Sequence, residues 1–174
     1  MNTRQLQGWA LVLAAVLNLV GLVGFLIGSD SIIFRIVNLV GGVLFIVGIP
    51  AILSAQRMGT AGLIGVILLE LAALVALVLN LLALTGATAP GEILPLASAV
   101  AGAIGAVIVG WLTTRETVFP QWAGWAFILQ GLLNLIGPLF GSGPLAAALA
   151  VIGTLAGAAA LLGYGFAIAR RPVR

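Results

Sequence analysis

The sequence predicts an all-α, polytopic membrane bundle of six transmembrane helices, and three observations carry that expectation. Apolar residues make up 63% of the chain, charged residues only 6%, and mean hydropathy is +1.31; soluble domains carry about 25% charged residues. Polar residues gather in short breaks that leave six apolar runs. Each run is about 20 residues long, which at 1.5 Å per residue matches a hydrocarbon layer about 30 Å thick.

The runs can be taken in order. The first, Gly8 to Gly28, follows Arg4 and has the outline of a signal peptide, but it exceeds the usual apolar region of about 7–15 residues. Leu26-Ile27-Gly28-Ser29-Asp30-Ser31 is also a poor cleavage site, so this run is expected to remain as a span. After the turn Gly28-Ser29-Asp30-Ser31, the second runs from Ile32 to about Ala55, with Pro50 expected to kink or disrupt its last turns. The third, Thr60 to about Thr85, is roughly 39 Å long by helical rise and is expected to tilt. A linker over 86–92 leads to the fourth, from about Pro95 to Thr113. The fifth opens after Pro120 and ends near Phe140, with Pro138 disturbing its last turn. Gly141-Ser142-Gly143-Pro144 connects it to the sixth, from about Leu145 to Ala169.

Orientation follows from the cations. The chain has no lysine, and six crossings put Arg4, Arg57, Arg115, Arg170, Arg171 and Arg174 on one side, with Arg35 near the other. The positive-inside rule then places both termini in the cytoplasm of a cell (inner) membrane. Trp9, Trp111, Trp122 and Trp125 fall at the same edge, where indole rings anchor at headgroup level.

Internal similarity suggests three diverged hairpins. Gly8-Trp9-Ala10 precedes Leu17-Asn18-Leu19 as Gly124-Trp125-Ala126 precedes Leu133-Asn134-Leu135, and Leu79-Asn80-Leu81 repeats the second half. Packing marks accompany it: Ser98, Gly102, Ala106 and Gly110 recur every four residues, and Gly153 and Gly157 stand four apart. Small residues at that spacing let membrane helices approach closely.

Polar side chains within the runs are few. Counted from the membrane edges, Glu70, Asn18 and Gln130 lie about 14–15 Å deep on the cytoplasmic count, and Asn38, Asn134 and Asn80 about 8–10 Å below the outer edge. Arg35 lies about 6 Å down, where it can snorkel toward Asp30 or Glu92. If the spans enclose a common centre, these residues outline a narrow cleft opening outward above Glu70. A charge at that depth costs several kcal/mol, so this carboxyl is expected to be neutral or tightly hydrogen-bonded.

Several function classes lack their chemistry. The pI of about 11.2 comes from seven arginines against four acids scattered at helix ends, not from the basic stripe that nucleic-acid binding needs. There is no histidine or cysteine for metal, haem or thiol chemistry, and no lysine for a Schiff base. Neither cofactor nor metal is expected, and Ser54 and Ser98 have no activating base. Two functions fit what is left. One is a non-catalytic accessory, assembly or lipid-associated membrane protein, whose partners are lipid, another membrane protein or a second copy of the chain. The other is a small proton- or cation-responsive carrier or channel using Glu70 with the Asn/Gln set.

Overall fold

A capping box starts the first helix. The Asn2 side chain accepts the Gln5 N–H at 2.9 Å, and Gln5 Oε1 accepts the Asn2 N–H at 3.2 Å. Helix α1 therefore begins at Thr3, ahead of the apolar run, and covers Thr3–Leu26. The computed structural model describes residues 2–28, 31–56, 58–87, 91, 93–141 and 143–170.

Helix α2, Ile32–Gly48, starts at Ser31, whose Oγ accepts the Ile33 N–H at 3.2 Å. Proline has no N–H to continue the ladder, so the span breaks at Ile49 and resumes as α3, Pro50–Ala55. Helix α4 covers Gly59–Thr85 and stops at Gly86, whose φ of 71° is a left-handed value open to glycine at little cost. Helix α5 covers Ile93–Thr114 and α6 Gln121–Ile136. Pro138 tightens the end of the fifth span into a 3₁₀ turn over Gly137–Phe140, and α7, Pro144–Ala169, completes the set. Six helical segments are long and apolar enough to cross a membrane, with α2 and α3 together forming one of them. The molecule is a six-helix bundle and reads as a multi-pass membrane protein.

Successive spans pack on one another, and α7 returns to α1, so the helices close in sequence order. Asn2, Gln56, the loop over 115–120 and Arg170 share one end, called here the terminal end; the other end is distal. The ring is sealed where glycine brings backbones together. A Cβ on Gly110 would lie 2.6 Å from the Gly124 carbonyl oxygen, and one on Gly124 would lie 2.6 Å from the Gly110 oxygen. Gly165 stands in the same relation to Gly8, at 2.7 Å, and this pair joins the last span to the first. The expected stripe on the fourth span divides its work. Ser98 Oγ donates to the Ala72 carbonyl at 3.0 Å and Gly102 faces Ala72, both toward α4, whereas Gly110 faces α6.

Burial is uneven along the bundle. Leu11, Ile49, Ile52, Val109, Phe127, Leu161 and Tyr164 form a continuous core in the terminal half. The distal half splays, with Ile93 83% and Leu139 81% exposed. Outward faces such as Val16, Val43, Leu74 and Val78 are apolar and exposed, as a lipid-facing surface requires.

Candidate functional site

The least tightly packed junction of the ring lies between α2 and α4. Glycines on α2 open a space there: Gly41 sits beside Leu17 and Asn18 of α1, and Gly42 beside Leu77 of α4. The result is a cavity of about 280 Å³ in the distal half, lined by Asn18, Asn38, Phe45, Ala73, Leu77 and Asn80 together with those glycines and Ala76. Three asparagines from three spans thus meet around one space.

Each arrives by a different local device. Asn38 lies across Gly21 of α1, where any Cβ would collide with its Oδ1. Asn18 stands next to Gly41, its Oδ1 3.8 Å from where a Cβ would be. Asn80 Nδ2 donates to the Ala76 carbonyl of its own helix at 2.9 Å, which holds the amide along α4. Among the described residues the side chains of Asn18 and Asn38 make no hydrogen bond. One turn beyond Asn80, Arg35 Nη1 donates to the Ala83 carbonyl at 2.9 Å and ties α2 to α4 on the distal side of the cavity. Asp30 and Glu92, expected near Arg35, lie outside the described residues, as do Arg57, Arg171 and Arg174.

The other polar residues are placed elsewhere. Glu70 is half-buried on α4, one turn toward the terminal end from Ala73 and about 15 Å from Asn80 by helical rise. Among the described residues no hydrogen bond or ion pair reaches it, so Glu70, Asn18 and Gln130 are not joined as a set. Gln130 sits over Gly157 of α7, where a Cβ would lie 2.5 Å from its Cδ, and its Oε1 is buried without a partner among the described residues. Asn134 sits one turn on, its Oδ1 3.2 Å from the Cβ position of Gly153. The two glycines lie at the contact of α7 with α6 and there seat these two amides.

A second polar group, at the terminal end, had no signal in the sequence beyond the chain's single tyrosine. Tyr164, Thr113 and Gln56 are each 0% exposed. Tyr164 OH donates to Thr113 Oγ1 at 2.9 Å, and Thr113 Oγ1 faces both Gln56 Oε1 at 3.2 Å and the Val109 carbonyl at 2.9 Å. Gln56 Nε2 reaches the Leu112 carbonyl at 3.4 Å. Phe119 and Phe127 meet the tyrosine ring edge to face at 5.0 and 5.7 Å. This cluster locks the fourth and sixth spans to the end of the second, and the loop residue Phe119 caps it.

Chemically, the distal cavity offers neutral amides that both donate and accept, beside apolar walls. Among the described residues no cluster of His, Cys, Asp or Glu could hold a metal ion. Compared with family models, curated proteins and solved structures, the chain matches none.

Proposed function

We propose that this is a non-catalytic, lipid-associated accessory protein of the cell (inner) membrane, with both termini in the cytoplasm. One observation carries the reading: the membrane-embedded polar groups fall into three separate places, and the close-packed apolar core is confined to the terminal half. Gln56, Thr113 and Tyr164 are sealed at the terminal end. Gln130 and Asn134 are seated on α7 glycines, and the asparagine cavity lies between spans 1, 2 and 3. Such an arrangement supports holding a ligand or a neighbour better than moving a solute from one face to the other. The hairpin relation belongs to the same reading: Asn18 and Asn134, which correspond in it, each face a glycine of the following span, Gly41 and Gly153.

The carrier reading keeps one supporting observation, the half-buried Glu70 with no partner among the described residues. Purification in mild detergent, with identification of co-purifying proteins and lipids, tests the choice alongside flux measurements in vesicles. The accessory reading expects bound lipid or a stoichiometric partner, and no proton or cation flux above empty vesicles. Flux that is present in the native protein and lost in Glu70→Gln, which keeps shape while removing the acid, would replace it with the carrier.

Sidedness has its own test, made simple because the chain contains no cysteine. A cysteine at Ala87, in the distal loop, is expected to react with a membrane-impermeant maleimide on intact cells. One at Glu116, in the terminal-end loop, is expected to react only after permeabilisation. The reverse pattern overturns the orientation drawn from the arginines.

A further inference from the structure

We propose that the asparagine cavity binds the polar backbone of a neutral glyceride lipid. Its ester and hydroxyl groups pair with Asn18, Asn38 and Asn80, and its acyl chains lie along the outer faces of α2 and α4. The proposal rests on the lipid-associated reading above and names the ligand for it.

The side chains of Asn18 and Asn38 make no hydrogen bond among the described residues. In hydrocarbon an unpaired amide costs several kcal/mol, so the lining calls for an occupant that can donate and accept. Asn80 adds a carbonyl oxygen and one N–H, its other N–H being bound to Ala76. All three groups are uncharged, which favours esters and hydroxyls over ions. The nearest acid on the same helix, Glu70, lies beyond the cavity lining.

Depth points the same way. Asn38 is six residues into α2, Asn80 five from the end of α4 and Asn18 eight from the end of α1, so the three lie about 8–12 Å from the distal helix ends. That is the outer part of the hydrocarbon layer, on the side from which a lipid's ester groups reach down. Size and shape then separate a lipid from an enclosed solute. About 280 Å³ is at the small end for ligand cavities. It holds the middle of a glyceride and leaves its tails outside. The loose junction of α2 and α4 gives the tails an exit, and the outward faces of the two helices, with Val40, Val43, Val47, Leu74 and Val78, are exposed and apolar.

The test compares thermal unfolding of the full-length protein in detergent with dioctanoylglycerol, glycerol or decane at the same molar excess. Dioctanoylglycerol is expected to raise Tm by about 5–10 °C at a hundredfold excess over its Kd, saturating at one per chain. Asn18→Leu with Asn38→Leu is expected to abolish that shift without lowering the unliganded Tm, because it removes amides that bond to nothing in the protein. Should that pair fail to fold, Ala76→Phe fills the cavity from α4 and is expected to abolish the shift alone. An equal shift with glycerol would make this a polyol site, and an equal shift with decane a merely apolar one; either result overturns the proposal. So would a shift that survives the variants, or a lowered unliganded Tm in the asparagine pair, which would mark the amides as helix glue. Failure here without vesicle flux removes the glyceride alone, whereas flux removes the accessory reading beneath it.

Discussion

Gly110→Leu is expected to destabilise the bundle by upward of about 3 kcal/mol, and Gly110→Ala by about 1–3 kcal/mol. The reason is that the obstacle is backbone. A Cβ at 110 would sit 2.6 Å from the Gly124 carbonyl oxygen, and the reciprocal contact from Gly124 is equally short. A side chain can rotate out of the way; a helix backbone cannot, so α5 and α6 must part and lose dispersion contacts along their length. Alanine's better helix propensity, worth about 1 kcal/mol over glycine, offsets only part of this. Gly137→Ala is the control, since a Cβ there meets nothing within 4 Å. Its Tm in detergent should match or slightly exceed the native value. Equal Tm values for Gly110→Ala and Gly137→Ala would mean that α5 and α6 do not touch at this point.

Thr113→Val should cost about 2–6 kcal/mol although it preserves shape, because it strands two fully buried groups at about 1–3 kcal/mol each. Tyr164 OH loses its acceptor, and Gln56 Oε1 loses the hydroxyl 3.2 Å away. Interhelical hydrogen bonds in membrane proteins average only about 0.6 kcal/mol when simply deleted. The larger figure expected here comes from orphaning partners rather than from the lost bond itself. Tyr164→Phe removes one of those orphans. Combined with Thr113→Val it should therefore recover about 1 kcal/mol relative to the sum of the single variants. Strict additivity in that double-mutant cycle, read by unfolding in detergent, would show the three side chains act independently.

The two predictions rest on features that differ in how visible they are from sequence. The stripe containing Gly110 is legible as small residues four apart, and the spacing implies a close helix contact. Which helix it meets is not, since α5 uses Ser98 and Gly102 toward α4 and Gly110 toward α6. The Gln56, Thr113 and Tyr164 cluster left almost no trace. Those residues lie 57 and 51 positions apart, and each alone resembles an ordinary residue near a membrane edge. The intramembrane amides fall between these cases. Their presence on α1, α2, α4 and α6 is plain, yet counting depth along each helix grouped Asn18 with Glu70 and Gln130. In the folded bundle Asn18 meets Asn38 and Asn80 instead, because Gly41 and Gly42 open space on that side of α2.

Six crossings, their order, the break at Pro50 and the tightened turn at Pro138 were determined by local sequence alone. Hydrocarbon thickness sets how many apolar residues a span needs, and every backbone group in lipid must be satisfied within its own helix, so length and proline position suffice. The rotation of each helix about its axis was decided only by the tertiary structure. On helices apolar nearly all round, no polar face marks the inside; glycine notches and a few amide seats choose it, and those exist only when two helices meet.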